Sequence, residues 1–212
     1  MSIKPEDFTA YCCMTGDYDN IQEDGRKYVD PCNRFRHNRL NAKVPKILSH
    51  KYIDTKFSIW IDSNIVMKIT YIELEQLFLE ANPDFEVGIF EHPERKIVEE
   101  EIKACANSNL DDHFRLNYHG GRDSGERLAY CGIIVRRNTD LVAQYNEKWW
   151  GEISRGSSRD QLSFPYTLGK IATYLPLKPI SDKKNSGREL HQNNQYYSRS
   201  GHKKGNAIMN IC

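Results

Sequence analysis

Short apolar runs alternate with segments of helical spacing between residues 9 and 177, and this alternation restricts the fold more than any other feature of the chain. The apolar runs, each with the length of a β-strand, occupy residues 9–14, 56–61, 86–90, 128–135 and 172–177. The segments with helical spacing occupy residues 33–49, 71–81, 97–106, 141–153 and 161–171. Strands and helices that alternate in this way pack as a sheet covered by helices. The sequence therefore predicts an α/β fold.

The size and hydropathy of the chain favour one water-facing domain. Its 212 residues, 39% of them hydrophobic, suffice for one sizeable core but not for two generous domains with a linker. The mean hydropathy is -0.70, and the apolar runs are too short to span a bilayer. The first nine residues carry Lys4, Glu6 and Asp7 where a secretory signal has an apolar core. We therefore predict a soluble, cytoplasmic protein that does not bind a membrane.

The end of the chain differs from the rest in charge. Beyond residue 177, seven basic residues accompany two acidic ones, whereas the whole chain has a net charge of +1. The segment is polar with little apolar periodicity, which is typical of a loosely draped segment or one that orders on binding. We therefore expect a domain at residues 1–177 and a basic C-terminal extension at residues 178–212. A solvated surface extension is the simpler interpretation of this charge, and a nucleic-acid-binding arm is the alternative.

The strongest local signal is a strand that ends in two oxygen-bearing side chains. The apolar run at residues 57–61 is followed by Asp62 and Asn64, one residue apart. Mg²⁺ and Mn²⁺ prefer carboxylate, amide and phosphate oxygens. This D-x-N pattern therefore suits a divalent cation that binds a diphosphate. The alternative is an ordinary turn, because Asp, Ser and Asn are common turn residues.

Three of the predicted helices carry charged or aromatic residues whose roles need an interpretation. A basic stretch at residues 34–51 precedes the D-x-N strand and includes Arg39, Lys43 and Lys46. Such cations suit a pyrophosphate, although several of them are expected only to solvate a helix face.

The three consecutive glutamates at residues 99–101 are interpreted as a solvated helix face. Of the adjacent Trp149 and Trp150, one is expected to pack in the core and the other to offer a surface for sugar stacking.

Seven blocks of sequence resemble one known family. They occur in the family's order at residues 11–19, 46–52, 58–65, 90–95, 132–138, 149–153 and 158–166. The chain thereby resembles the glycosyltransferase-like proteins related to plant mucilage and turgor-regulation hexosyltransferases, which also have bacterial capsule-type and viral members. It is more distantly similar to glycogenin-type and lipopolysaccharide galactosyltransferases. The resemblance implies a single GT-A-like, Rossmann-like domain with a mixed, mainly parallel sheet flanked by helices.

The resemblance also implies roles for residues. Asp160 and Gln161 match an acidic pair near the reacting sugar, so they are the expected catalytic residues; the alternative for Asp160 is a helix cap beside a salt-bridged Arg159. Asp62 and Asn64 would hold Mn²⁺ or Mg²⁺. Because Asn64 stands where the related enzymes have a second aspartate, a histidine of the C-terminal extension, His191 or His202, is expected to complete the ligand set. The residues expected to bind the nucleotide sugar are Thr15, Asp17, Tyr18, Arg39, Lys43, Lys46, His92 and Arg95.

The predicted function is metal-dependent glycosyl transfer. A hexose or pentose would pass from a nucleotide diphosphate sugar, expected to be a UDP-sugar, to a hydroxyl acceptor. The acceptor is either a glycan or, given the basic extension and the viral members of the family, a hydroxymethylated DNA base. A non-catalytic module that binds nucleotide sugars is the alternative. Metal-dependent phosphohydrolase chemistry is disfavoured because no second dense cluster of carboxylates and histidines accompanies Asp62.

Overall fold

A central mixed sheet organises the molecule. The structure is a computed structural model that describes residues 4–15, 19–36, 38–107, 126–180 and 186–200. Its strands are β1 (Phe8–Cys12), β2 (Lys27–Tyr28), β3 (Phe57–Ile61), β4 (Ile65–Met67), β5 (Val87–Glu91), β6 (Ala129–Arg137), β7 (Ala172–Leu175) and β8 (Tyr197–Arg199). The main sheet has the order β2-β1-β3-β6-β5-β7, and β4 pairs with β8 in a small second sheet.

Strand direction places several strand ends at one edge. β1 is parallel to β2 and β3, and β5 is parallel to β7. β6 is antiparallel to both of its neighbours, β3 and β5. Five strands therefore share a direction and β6 is reversed, which confirms the predicted mixed, mainly parallel α/β sheet. The carboxyl ends of β1, β3 and β5 and the start of β6 meet at the same edge, where α/β sheets usually bind ligands.

Helices cover the sheet. They are α1 (Asn38–Ile47), α2 (Tyr71–Ala81), α3 (Val98–Asn107), α4 (Asp140–Arg155), α5 (Asp160–Ser163) and α6 (Gly187–Gln192). α2 matches the predicted residues 71–81 because its start is a capping box: the Glu73 backbone N–H donates to Thr70 Oγ1 at 3.2 Å, and the Thr70 N–H donates to the Glu73 carboxylate at 2.7 Å.

Two prolines have different effects on the helices that contain or follow them. The single helix predicted at residues 161–171 is wrong: α5 ends at Ser163 and a 3-10 helix follows at Leu168–Ile171. Pro165 has no N–H to donate to the carbonyl four residues earlier. Pro45, by contrast, lies inside α1. The carbonyl of Asn41, which Pro45 leaves without its helical partner, accepts the Cys32 N–H at 3.1 Å.

The C-terminal extension is partly folded onto the domain. β8 pairs antiparallel with β4, and α6 precedes it. Tyr196 and Tyr197 are buried in the core, where Tyr197 stacks on Tyr130 with ring centroids 5.5 Å apart. The expectation of a loosely draped segment is therefore wrong for residues 186–200. The buried rings of Tyr196 and Tyr197 anchor this segment to the core, although its sequence has no helical or strand periodicity that would predict it. The division of the chain at residue 177 stays a prediction.

Across the described ranges, no helix is both long and apolar enough to cross a membrane.

Trp149 is fully buried and donates from Nε1 to Ser163 Oγ at 3.0 Å. Trp150 is half-buried against Phe35, with ring centroids 5.6 Å apart. The prediction that one of the two tryptophans packs in the core is confirmed, while sugar stacking by the other stays a prediction.

Glu75, on the buried face of α2, is expected to destabilise the protein at neutral and alkaline pH. Its side chain is fully buried, and no described residue gives either carboxylate oxygen a hydrogen bond. Burial raises its pKa to about 7, although Lys56 and Arg137 act in the opposite direction. The unfolded chain therefore loses this proton at a lower pH than the folded chain does. Stability should fall as the pH rises from about 4.5 to about 7.

Replacing Glu75 with leucine should remove this penalty. We expect Glu75→Leu to raise the free energy of unfolding at pH 8 by about 1 to 3 kcal/mol. Urea unfolding at pH 5 and pH 8 measures the effect, with the exposed Glu80→Leu on the same helix as the control. Equal pH dependence in wild type and Glu75→Leu would contradict the prediction.

Candidate active site

A polar cavity of about 220 Å³ opens at the edge where the strand ends meet. Asp62 follows β3, His92 follows β5, and the start of β6 supplies part of the floor. α1, α5, α6 and β8 complete the wall. The lining residues are Lys43, Lys46, Asp62, His92, Arg95, Tyr130, Cys131, Gly132, Arg159, Asp160, Gln161, His191 and Arg199.

Two lysines and two aspartates form one side of the cavity, here called the lysine–aspartate cluster: Lys43, Lys46, Asp62 and Asp160. Asp160 Oδ2 lies 2.5 Å from Lys43 Nζ and 2.7 Å from Lys46 Nζ. Lys46 Nζ also donates to Asp62 Oδ1 at 3.0 Å. Lys43 and Lys46 are one helical turn apart on α1, which is why both reach the same carboxylate. The cluster links α1, the end of β3 and the start of α5.

Burial and charge set the protonation of this cluster. Burial alone would raise the pKa of Asp160, but the Lys43 and Lys46 ammonium groups overcome it and hold the pKa well below its usual range. Burial, with the neighbouring Lys46, lowers the pKa of Lys43 to about 8 although Asp160 opposes the shift. The pKa of Lys46 is raised, because Asp160 and Asp62 outweigh its burial. Asp160 therefore stays ionised and is a weak base, which suits stabilisation of positive charge better than proton abstraction.

The alternative role of Asp160 as a helix cap receives little support. Arg159 occupies the N-cap position of α5, and its side chain makes no capping hydrogen bond. Asp160 is the first residue of the helix, and its Oδ1 accepts the adjacent Gln161 N–H at 3.2 Å. The salt bridge of Arg159 is with Glu101, whose Oε1 lies 3.1 Å from Arg159 Nη2.

Three arginines form the other side of the cavity, here called the arginine cluster: Arg95, Arg159 and Arg199. Arg95 Nε contacts Glu101 Oε2 at 2.5 Å, and Arg159 Nε and Nη2 both contact Glu101 Oε1 at 3.1 Å. Glu101 is fully buried. The expectation that residues 99–101 all face solvent is therefore wrong at Glu101, because two guanidinium groups compensate its buried charge.

Two histidines line the same side in neutral form. His92 is buried, and its Nδ1 accepts the backbone N–H groups of Glu94 at 3.2 Å and Arg95 at 3.1 Å. Burial and the nearby Arg95 lower its pKa to about 3. His191 Nδ1 lies 2.5 Å from Glu94 Oε1, and His191 Nε2 lies 2.7 Å from Arg199 Nη1. Burial also lowers the pKa of His191, although Glu94 opposes the shift.

The predicted metal ligands are only partly brought together. Asp62 and His191 line the cavity, whereas Asn64 is buried outside its wall. Asp62 Oδ1 accepts from Lys46 and from Trp60 Nε1 at 2.7 Å, but its side chain is 37% exposed and none of the described residues donates to Oδ2. The described residues contain no group of three His, Cys, Asp or Glu side chains able to hold a metal ion. Mg²⁺ commonly binds through one or two carboxylates and substrate phosphates, so Asp62 is compatible with such an ion.

Other predicted residues lie elsewhere. Thr15 follows β1 and Arg39 lies on α1, and both are half-buried outside the cavity wall. Asp17, Tyr18 and His202 lie outside the described residues. Their predicted roles stay predictions.

Sequence reasoning missed Arg26, which supports the turn that carries Asp62. Its side chain is fully buried and pairs with Asp24. Nη1 donates to the Asp62 carbonyl at 3.1 Å, and Nη2 donates to the Ile65 carbonyl at 2.7 Å. Arg159 and Arg199 were also missed as site residues. Arg159 adjoins the matched Asp160, whereas no sequence signal distinguishes Arg26 or Arg199 from surface cations.

Two curated plant proteins match the chain. It is 28% identical over 152 residues to the probable hexosyltransferase MUCI70 of Arabidopsis thaliana, a match that covers 63% of this chain and 26% of that protein. It is 26% identical over 155 residues to the alkaline ceramidase TOD1 of the same plant, covering 66% of this chain and 33% of that protein. The chain thus spans about a quarter to a third of these relatives. Their names describe different reactions, so similarity to them does not by itself specify the chemistry.

Solved structures and a family profile complete the comparison. Mouse xyloside xylosyltransferase 1 has a TM-score of 0.40 and 13% identity, covering 64% of this chain and 50% of its own. The bifunctional glycosyltransferase WbbM has a TM-score of 0.42 and 14% identity, covering 70% and 26%. The profile described as "TOD1/MUCI70, glycosyltransferase-like domain" matches residues 31–190. Since this match spans most of the chain and includes the lysine–aspartate cluster, the protein belongs to the TOD1/MUCI70 glycosyltransferase-like family.

Proposed function

We propose that the protein transfers a hexose or pentose from a nucleotide diphosphate sugar, a UDP-sugar in the first instance, to a hydroxyl acceptor. The observation that carries the proposal is the ionised Asp160 on the wall of a cavity that also contains Asp62 and five cationic side chains. Glycosyl transfer needs both a carboxylate and cations in the site. The carboxylate stabilises the positive charge that develops on the sugar, and the cations stabilise the negative charge that develops on the leaving diphosphate. Membership of the family and the hexosyltransferase name of one relative support the same reaction class.

The residues of the chain have separate roles in this reaction. The Asp160 carboxylate stabilises positive charge at the anomeric carbon of the donor sugar, and Lys43 and Lys46 hold it in place. Gln161, beside it on α5, offers an amide to a sugar hydroxyl. The GT-A type of donor binding, with the nucleotide at the end of β1 near Thr15, is part of the proposal.

A Mn²⁺ or Mg²⁺ ion is included in the proposal as the cofactor. Asp62 would hold it together with phosphate oxygens of the donor, and His191 would join only after leaving Arg199. Such an ion supplies Lewis-acid stabilisation of the departing diphosphate. Lys46 Nζ, which donates to Asp62 Oδ1 at 3.0 Å, orients the Asp62 carboxylate at the cavity wall.

A glycan is the proposed acceptor, and a hydroxymethylated DNA base is the second candidate. The hexosyltransferase name of the Arabidopsis relative favours the glycan. The basic C-terminal extension favours DNA, for which binding should weaken steeply with salt. A DNA acceptor would also require the base to be flipped out of the helix. Transferase activity that is insensitive to salt would contradict this second candidate.

Release of UDP tests the proposed reaction. We expect the protein with Mn²⁺ to release UDP from at least one member of a UDP-sugar panel, and Asp62→Ala to lower that rate at least about tenfold because the ion loses its carboxylate. Asp54→Ala, which removes an exposed carboxylate, is the matched control and should retain the wild-type rate.

Three outcomes would redirect the proposal. Binding of UDP-sugars without release of UDP, in the presence of glycan and DNA acceptors, would identify the non-catalytic binding module. Neither binding nor release across the panel would overturn the transferase. Ceramide is included as a separate substrate because one relative is named a ceramidase, and amide hydrolysis without UDP release would assign that reaction instead.

A further inference from the structure

The charges around the cavity are distributed unevenly between its two sides. In the lysine–aspartate cluster, two ammonium groups face two carboxylates, so their charges compensate each other. The arginine cluster places three guanidinium groups on the wall, whereas the one carboxylate that pairs with two of them, Glu101, is fully buried and does not line the cavity. The two histidines on this side are already engaged: His92 Nδ1 accepts two backbone N–H groups, and His191 Nε2 lies 2.7 Å from Arg199 Nη1. The uncompensated positive charge of the cavity is therefore on the arginine side.

The geometry of the arginines leaves donors available for a ligand. Arg95 donates from Nε to Glu101 at 2.5 Å, and its Nη2 lies 3.1 Å from His92 Nε2. Arg159 uses Nε and Nη2 on Glu101. Within the described part of the chain, Nη1 of both arginines has no partner. Glu101 thus holds two like charges side by side in a fixed orientation before any ligand arrives.

We propose that Arg95, Arg159 and Arg199 form a phosphate-binding site that takes the diphosphate of the donor. Guanidinium groups bind phosphate oxygens through paired hydrogen bonds, and fixed groups lose little conformational entropy when they do so. Asp160, held by Lys43 and Lys46, is then left to face the sugar, and Asp62 remains available to the ion. The assignment to a donor diphosphate rests on the proposed function, whereas the affinity of the site for phosphate does not.

Binding of inorganic pyrophosphate without metal tests the site. Isothermal titration calorimetry in EDTA should detect pyrophosphate and UDP binding to the wild-type protein and much weaker binding of uridine. Arg159→Met and Arg199→Met should each weaken pyrophosphate binding at least tenfold. Arg159→Lys keeps the positive charge but loses the paired N–H donors of the guanidinium group. Its affinity for pyrophosphate should therefore lie between those of wild type and Arg159→Met. Arg155→Met, which removes an exposed arginine of α4, should bind as wild type does.

Two further measurements separate binding from folding. Thermal unfolding is recorded for every variant, and Arg199→Met does not touch Glu101, so it remains informative if Arg159→Met is unstable. A double variant, Lys43→Met with Asp160→Asn, removes one charge of each sign from the lysine–aspartate cluster. It should keep pyrophosphate affinity within about threefold of wild type.

Several results would overturn the proposal. They are an absence of pyrophosphate and UDP binding in EDTA, wild-type affinity in folded Arg159→Met and Arg199→Met proteins, and loss of binding in the double variant alone. Turnover of a UDP-sugar with arginine-independent pyrophosphate binding would reject this site but keep the transferase. Arginine-dependent pyrophosphate binding without any turnover would keep the site and reject the transferase.

Discussion

Asp160→Asn should lower kcat/KM for glycosyl transfer by about 10² to 10³, the size of effect seen when one preorganised electrostatic group is lost at a reacting centre. Asparagine preserves the shape of the side chain but cannot offset positive charge on the sugar. The comparison with wild type is made by UDP release under conditions where both proteins are folded. Because the arginine cluster is intact, UDP affinity should change little. The loss should therefore fall on kcat.

The pH profile distinguishes this role from a structural one. In the wild-type protein, loss of the Lys43 charge near pH 8 predicts a fall in activity on the basic side. Removing the Asp160 charge takes away the group that supports the protonated form of Lys43, so this fall should move to lower pH in Asp160→Asn. Unchanged activity together with an unchanged pH profile would contradict a catalytic Asp160 and favour the binding module.

Lys46→Met should have the largest effect on stability, lowering the free energy of unfolding by about 3 to 5 kcal/mol. The Lys46 side chain is 4% exposed and contacts both Asp160 and Asp62. Methionine fills a similar volume but leaves Asp160 buried with only Lys43 as its counter-ion. Urea unfolding at neutral pH measures the loss.

A matched control tests whether burial causes this effect. Lys51 is 51% exposed and pairs with Glu147, so Lys51→Met should cost less than about 1 kcal/mol. Equal losses in the two variants would show that the buried position of Lys46 has no special importance. Lys46→Met should also lose UDP-releasing activity, because it no longer orients the two carboxylates.

Local patterns were sufficient for most of the fold. The helical spacing at 71–81 predicted α2 with its observed bounds, because this signal acts within a few residues of chain. The β3 strand and the D-x-N turn after it were equally readable. Pro165 marks the limit of such patterns: apolar spacing continues across residues 161–171, yet α5 ends at Ser163, before this proline.

The candidate site is formed by contacts between residues far apart in the chain, and local sequence patterns do not predict such contacts. The sequence placed Lys43, Lys46, Asp62, Asp160, His92 and Arg95 among the site residues, partly through a family resemblance, and all six line one cavity. Glu101 was misassigned because a glutamate run looks solvated unless its cationic partners are known. Arg199 was missed because only the pairing of β8 with β4 carries it to the cavity.

The sequence by itself determined the α/β class, the family, and the chemical types of side chain at the ends of β3 and β5. These follow from periodicity and from matching blocks, which are properties of neighbouring residues. Only the tertiary structure decided which charges compensate one another. Lys43 and Lys46 contact Asp160, Glu101 holds Arg95 and Arg159, and Arg199 contacts His191. The physical reason is that ion pairing depends on distances of a few ångströms between groups far apart in the chain, and burial then decides how strongly each pair shifts its pKa.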